Sequence, residues 1–242
     1  PQMRELGTEH VTPCCGCTPD ACLRIGAAVT MNQLARSDLV RRGWPLLADA
    51  TASMGNEQVR NRATIGGNIC TASAAADTAP ALYALEAHVL IRGPDADRSL
   101  PIDHFFTGPK QNALRRGELV AGLLVPTWPE GTLSYHEKLS RRKAGDLSIV
   151  SVAVACLPNQ DGSHTWRVAL GAAGPTPIRA LKSEAILAEA TDTEAIDRAA
   201  AAAYGCCCPI GDIRSGVAYR QAMIVNLTRR AIQSIAAQLP TG

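Results

Sequence analysis

The chain has 242 residues, of which 46% are hydrophobic and 19% are charged, and its formal net charge is +2. This composition is that of an ordinary globular protein, and the length allows one large or two small domains. So small a net charge does not favour nucleic acid or an acidic membrane surface as a partner. No apolar run approaches the ~20 residues that a membrane-spanning helix requires, so no membrane span is predicted.

Mixed helices and strands are predicted in the first half, after an irregular segment at residues 1–22. Alternating apolar residues predict a strand from Leu23 to Val29, and Thr30 with Gln33 supplies the capping box of a helix that ends near Ser37. The further predicted elements are a helix over 45–54, a loop of small residues over 55–78, a helix over 79–85, and strands over 87–92 and 118–125.

A stretch rich in proline and glycine, at 126–131, is the predicted domain boundary. Beyond it, three closely spaced apolar runs predict an antiparallel three-stranded sheet over 132–139, 147–157 and 165–172. Helices are predicted over 177–190, from a capping box at 191–194 to about residue 205, and from 212 or 215 to 238. Strands followed by helices in one unit indicate an α+β fold class.

The cysteines occur in an odd number and without paired spacing, which favours a cytoplasmic protein over a secreted disulfide framework. They form two clusters and two single positions: Cys14, Cys15, Cys17 and Cys22; Cys206, Cys207 and Cys208; Cys70; and Cys156. The first cluster has neither a zinc-ribbon spacing nor a usual iron–sulfur spacing. Free thiols are therefore favoured there, and an iron–sulfur site is the weaker alternative.

Residues 55–85 are the distinctive part of the chain, because almost all of them are small. Gly66 and Gly67 are adjacent, and Asn68, Thr71 and four alanines follow before Asp77. Glycine permits a close approach of the backbone to a ligand, and consecutive amide N–H groups can bind an anion. The standard glycine-rich nucleotide motifs, the nucleophile elbow and the zinc-protease motif are absent. The histidines are scattered, so neither a catalytic residue nor a metal ligand is predicted.

The segment Asn61-Arg-Ala-Thr-Ile-Gly-Gly-Asn68, followed by Thr71-Ala-Ser-Ala-Ala-Ala-Asp77, closely resembles the second flavin loop of the FAD-binding subunits of molybdenum hydroxylases. That family includes the medium subunits of bacterial carbon monoxide dehydrogenases and xanthine dehydrogenases. Further segments in the same order extend the resemblance over roughly residues 23–238. The resemblance implies an FAD-binding subdomain at 23–130 and a C-terminal α+β domain at 131–242.

The resemblance also implies a role for each cofactor-binding residue. Backbone amides around Thr64, Gly66, Gly67 and Asn68 would bind the FAD pyrophosphate, and Thr71 would lie near the isoalloxazine ring. Asp77 would accept hydrogen bonds from ribityl or ribose hydroxyls. An apolar pair, Leu119 and Val120, would pack on the adenine or the ring system, and a lysine would bring its charge near the ring. The implied set is Ala63, Thr64, Ile65, Gly66, Gly67, Asn68, Thr71, Ala76, Asp77, Leu119, Val120 and Lys138.

Without the resemblance, these residues have simpler interpretations. The glycine pair would form a tight turn, and Asp77 would cap the helix that begins at Thr78. The apolar pair Leu119 and Val120 would be strand core. Lys138 would be a solvated surface charge.

The implied function is electron transfer within a complex. Electrons from a molybdenum-cofactor large subunit would pass through a small 2Fe–2S subunit to FAD, and then to NAD or another acceptor. Family members carry a small subdomain with a first flavin loop before the position of Leu23, whereas 22 residues precede it here. We therefore expect a truncated start. The alternative is a cofactor-free structural or docking subunit, because FAD held on one side would bind weakly.

Overall fold

The computed structural model describes residues 2–9 and 22–239. The first half of this described chain contains the strands β1 (Leu6–Glu9), β2 (Cys22–Gly26), β3 (His88–Arg92), β4 (Arg98–Pro101), β5 (Phe106–Gly108), β6 (Gln111–Asn112) and β7 (Leu119–Val125). An antiparallel sheet has the order β1-β2-β7-β3-β4, and β5 pairs with β6. The accompanying helices are α1 (Met31–Arg36), α2 (Asp38–Gly43), α3 (Pro45–Ala52), α4 (Glu57–Arg62), α5 (Ile65–Cys70) and α6 (Ala79–Ala84).

Local sequence signals account for the elements that were predicted in this half. Thr30 and Gln33 form the complete capping box of α1. Helix α3 begins at Pro45, and Gly55 beyond its end has a φ of +50°, a left-handed conformation that favours glycine. The predicted helix over 79–85 and the strands over 87–92 and 118–125 are confirmed as α6, β3 and β7.

Two predictions for this half are wrong. Leu6–Glu9, within the segment expected to be irregular, forms β1 and pairs with β2. The small-residue stretch at 55–78 is not a loop, because it contains α4 and α5. Each of these helices begins at a capping side chain, Asn56 for α4 and Thr64 for α5. Elements this short are set by caps and packing, and they are too short for hydrophobic periodicity to reveal them.

The second half is a four-stranded antiparallel sheet with helices after it. The strands are β8 (Leu133–Leu139), β9 (Val150–Pro158), β10 (His164–Gly171) and β11 (Ile178–Arg179), and the helices are α7 (Leu181–Glu189), α8 (Thr193–Gly205) and α9 (Val217–Ala236). The strand order is β11-β10-β9-β8, so the predicted meander is confirmed and β11 extends it. The α+β class is confirmed as well.

Three helix starts in this half differ from the prediction, one of them because α9 begins at Val217 rather than at 212 or 215. Pro177 does not begin α7, because Ile178 and Arg179 pair with β10 as the short strand β11. Asp192, rather than Thr191, caps α8, and its carboxylate accepts a hydrogen bond of 2.9 Å from the N–H of Ala195, the third residue of the helix. Among residues 2–9 and 22–239, no helix combines the length and the apolar character that crossing a bilayer requires.

The four-stranded sheet separates two hydrophobic cores. Alternate residues of β9 point to opposite faces, so Ala153 and Ala155 join the core of the first half, while Val152 and Val154 join a core with the three C-terminal helices. Helix α6 packs against the first face of this sheet, and α9 packs against the other. The two halves therefore share one sheet as a common wall.

Candidate functional site

Thr64 and Gly66 hold the start of α5 against the five-stranded sheet. The Thr64 hydroxyl accepts a hydrogen bond of 3.2 Å from the Gly67 N–H and so caps the helix. Thr64 also pairs with Thr30 in an isolated antiparallel bridge. At Gly66, a Cβ atom would lie 2.7 Å from Ala27 Cβ and 2.8 Å from Ala27 O, so the contact requires glycine.

Two amides in the glycine stretch are already used inside the protein. The Gly66 N–H donates to Ala27 O at 3.0 Å, and the Asn68 N–H donates to Thr64 O at 2.9 Å. These two amides therefore already have acceptors within the protein, which makes them weaker candidates for the predicted pyrophosphate contact. The tight-turn interpretation is wrong, because both glycines lie inside α5. Gly66 serves close packing of the helix on the sheet.

Helix α5 nevertheless leaves an exposed face of small and polar residues. Gly67 and Thr71 are exposed, whereas Thr64 and Asn68 are half-buried. A cavity of about 490 Å³ opens at Thr64 and is lined by Arg4, Ala28, Thr30, Gln33, Asn61, Arg62 and Thr64. Two guanidinium groups among hydroxyl and amide side chains suit an anionic group, so these residues fit the pyrophosphate of a dinucleotide.

Asp77 and Lys138 form a buried ion pair that joins the two halves. Asp77 Oδ1 lies 2.8 Å from Lys138 Nζ and accepts a hydrogen bond of 2.8 Å from Ser148 Oγ. Lys138 Nζ also donates to Ser53 O at 3.2 Å, just beyond the end of α3. The Asp77 and Lys138 side chains are 6% and 7% exposed. Their simpler interpretations, as a helix cap and as a surface charge, are therefore both wrong.

The remaining residues of the implied set differ in how far they are buried. Val120 is buried in the core of the first half, as its strand-core interpretation expected, and Ala76 is also buried. Leu119 begins β7 and is 46% exposed. It is therefore the large apolar side chain of the implied set that a ligand could contact. Ala63 follows α4 as its C-cap and is half-buried. Neither Leu119 nor Val120 is among the contacts of Lys138 that are described above.

A polar network that the sequence patterns did not reveal continues from Ser148. Arg214 Nη1 donates to Ser148 O at 3.0 Å, and Arg214 Nη2 lies 2.6 Å from Asp212 Oδ2. Arg220, a buried residue of α9, places its guanidinium 2.8 Å from the same carboxylate. Hydrogen bonds from Arg214, and then the neighbouring Arg220, hold the pKa of the Asp212 carboxyl well below its usual range. These residues come from a loop and a helix, so no single pattern of sequence periodicity would group them.

The iron–sulfur alternative receives no support from the part of the chain that is described. Cys14, Cys15 and Cys17 lie outside the described residues, and Cys22 is buried at the start of β2. Within residues 2–9 and 22–239, no group of three or more histidine, cysteine, aspartate or glutamate side chains could hold a metal ion.

Two family models match this chain, one after the other. The FAD binding domain of molybdopterin dehydrogenase matches residues 18–128, and the C-terminal domain of the CO dehydrogenase flavoprotein matches residues 135–235. The carbon monoxide dehydrogenase medium chain of Hydrogenophaga pseudoflava is 35% identical over 211 residues, which are 87% of this chain and 73% of that relative. The xanthine dehydrogenase FAD-binding subunit of Escherichia coli O157:H7 is 37% identical over 166 residues, 68% of this chain and 57% of that subunit.

Solved structures show the same relationship. The carbon monoxide dehydrogenase from Hydrogenophaga pseudoflava that lacks the Mo-pyranopterin moiety superposes with a TM-score of 0.89 at 33% identity, covering 99% of this chain and 80% of that chain. Quinoline 2-oxidoreductase from Pseudomonas putida 86 gives a TM-score of 0.85 at 25% identity, covering 98% and 79%. The collinear flavin-loop resemblance, the two family models and these relatives agree: this chain belongs to the FAD-binding medium subunits of the molybdenum hydroxylase oxidoreductases.

Proposed function

We propose that this chain holds FAD along the exposed face of α5 and carries electrons through it. The observation that carries the proposal is the cavity beside α5, where Arg4 and Arg62 stand next to the polar side chains of Thr30 and Thr64. A negatively charged pyrophosphate would be held there by side chains rather than by the amides of the glycine pair. When bound, FAD supplies the redox chemistry, and the protein positions it.

The buried ion pair would support the flavin end of this site. Lys138 lies beside the Asp77 carboxylate, and Ser53 and Ser148 hold the pair in place. Both contacts of Asp77 described above use Oδ1, so we propose that its other oxygen accepts a ribityl or ribose hydroxyl. Leu147 adjoins Ser148 and is 55% exposed, so it offers an apolar surface to the flavin ring. Thr71 and Leu119 would complete the contacts.

Membership of this family supports a proposal about the partner subunits. The relative from Hydrogenophaga pseudoflava is a medium chain, so we propose that this chain assembles with a molybdenum-cofactor large subunit and a small 2Fe–2S subunit. Electrons would reach FAD through the small subunit and leave to NAD or another acceptor.

We also propose the division into an FAD-binding subdomain at 23–130 and a C-terminal domain at 131–242, and a cytoplasmic location based on the cysteine pattern.

Purification of the chain with its co-expressed partner subunits tests the proposal directly. We expect stoichiometric FAD, seen as flavin absorption near ~450 nm and released on denaturation. A colourless subunit that still assembles would overturn FAD binding and favour the cofactor-free docking subunit. Iron on the isolated chain, with a broad brown spectrum, would instead favour an iron–sulfur variant that uses the first cysteine cluster.

Reversing the charge of Arg62 is expected to weaken FAD binding by about 10–100-fold. The substitution Arg62→Glu removes a charge-assisted contact worth about 1.5–3 kcal/mol at the proposed pyrophosphate position. Titration of the apo-subunit with FAD, followed by flavin fluorescence, measures the change. Arg198→Glu is the matched control, because Arg198 is exposed on α8, and it should leave the affinity unchanged. Equal affinities for both variants would place the pyrophosphate elsewhere.

Leu119→Asp is expected to reduce FAD affinity by about tenfold or more, since the new carboxylate would lose hydration against the cofactor. Leu39→Asp on α2 is the matched control, because Leu39 is 40% exposed and Leu119 is 46% exposed. The same fluorescence titration compares them. Leu119 is not a cofactor contact if its variant binds FAD as tightly as the Leu39 variant does.

A further inference from the structure

The end of α8 brings two neighbouring thiols onto one backbone oxygen. The Cys206 and Cys207 thiols donate to Ala203 O, with Sγ–O distances of 3.0 Å and 3.1 Å. The Cys207 S–H can donate to Ala203 O or, when Cys206 is ionised, to the Cys206 thiolate, so the two sulfur atoms lie within hydrogen-bonding reach of each other. Cys206 is exposed and Cys207 is half-buried, so the pair is open to small molecules.

A disulfide is a poor outcome for these two residues. Adjacent Cα atoms across a trans peptide lie ~3.8 Å apart, whereas disulfides usually need about 4.4 Å or more. A ligand that bonds to both sulfur atoms avoids this strain, because it closes a larger ring without an S–S bond. The arrangement therefore favours chelation over internal oxidation.

We propose that Cys206 and Cys207 form a dithiol binding site for a trivalent thiophile, of which an organoarsenic(III) oxide is the probe. Two S–As bonds form, the As=O bond breaks, and the two thiol protons leave with its oxygen as one water molecule. No atom changes oxidation state, so no separate oxidant or reductant is needed. The site is independent of FAD binding.

The surroundings of the pair favour such a reaction. The hydrogen bond from Cys207 stabilises the Cys206 thiolate, and Lys182 contributes a positive charge, which lowers the pKa of Cys206 to about 7. Thiolate is the reactive form of cysteine at neutral pH. Cys208 is exposed beside the pair, but its N–H donates to Ala173 O and turns the chain towards another loop.

Phenylarsine oxide binding to the full chain tests the site. Cys14, Cys15 and Cys17 are first replaced by serine, since they form another candidate thiol cluster. Mass spectrometry is expected to show one adduct that blocks two thiols and is removed by an added dithiol. Cys206→Ser or Cys207→Ser should weaken binding by at least ~100-fold, because the second attachment is lost.

Cys208→Ser is the matched control, and it should bind phenylarsine oxide as the parent does. Circular dichroism checks that each variant is folded. Unchanged binding by a folded Cys206 or Cys207 variant would overturn the proposal, and so would loss of binding by the folded Cys208 variant. Failure here would leave the flavin proposal untouched, because the FAD titration is a separate measurement.

Discussion

Replacement of Lys138 by methionine is expected to lower the free energy of unfolding by about 3–5 kcal/mol, because it leaves the Asp77 carboxylate buried without its cation. The Asp77 side chain is 6% exposed and is held by Ser148, so it cannot reach solvent without breaking that contact. Methionine keeps most of the apolar stem of lysine, so the loss is mainly electrostatic. Urea unfolding followed by circular dichroism measures it.

A double variant separates the lost charge from lost packing. In Asp77→Asn/Lys138→Met, the asparagine amide still accepts from Ser148 and carries no buried charge, so most of the stability is expected to return. Arg198→Met, on the exposed side of α8, is the control and should change stability by less than about 0.5 kcal/mol. A loss below about 1 kcal/mol for Lys138→Met would mean that the pair is solvated.

Gly66→Ala is expected to destabilise the protein by about 1–3 kcal/mol and to weaken FAD binding as well. The new methyl group would meet the backbone oxygen and the Cβ of Ala27 at 2.8 Å and 2.7 Å, and neither atom can rotate away. Helix α5 must therefore move off the sheet, and Thr64 moves with it because it caps this helix. Urea unfolding and FAD titration measure the two effects.

The neighbouring glycine provides the matched control for the unfolding measurement. Gly67 is exposed, and a Cβ atom there would meet only Thr64 Oγ1, at 3.1 Å, within the 4 Å around it. Because alanine favours a helix by up to ~1 kcal/mol over glycine, Gly67→Ala should be neutral or slightly stabilising. If both variants are equally stable, the close contact between Gly66 and Ala27 does not hold α5 in place.

Periodicity and capping patterns were enough to predict the longer elements. The continuous apolar run of β9, the capping box at Thr30 and the proline that starts α3 are all local signals, and each is found in the folded protein. The missed strands depend on pairing with a second strand. β1 exists because it pairs with β2, and β11 exists because it pairs with β10. A local pattern of only two to four residues could not predict those pairings.

The candidate site, like the fold, could be predicted only in part from the sequence. The resemblance identified Gly66, Asp77 and Lys138, but the physical roles first assigned to them were incomplete. Nothing in the sequence shows that Gly66 packs on Ala27 or that Asp77 and Lys138 meet, since the latter two are 61 positions apart by their numbers. The sequence predicts that Ser148 is part of a strand, whereas in the structure it connects the ion pair to Arg214.

The sheet shared by the two cores has a consequence for how the chain can be divided. Ala153, Ala155 and Ala169 on one face of β9 and β10 are fully covered by the first half, although they belong to the second by sequence. A fragment beginning near residue 131 would expose this apolar face, which invites self-association. Two family models divide the chain here, yet the two halves share one sheet, so neither half could be excised without replacing the surface that the other provides.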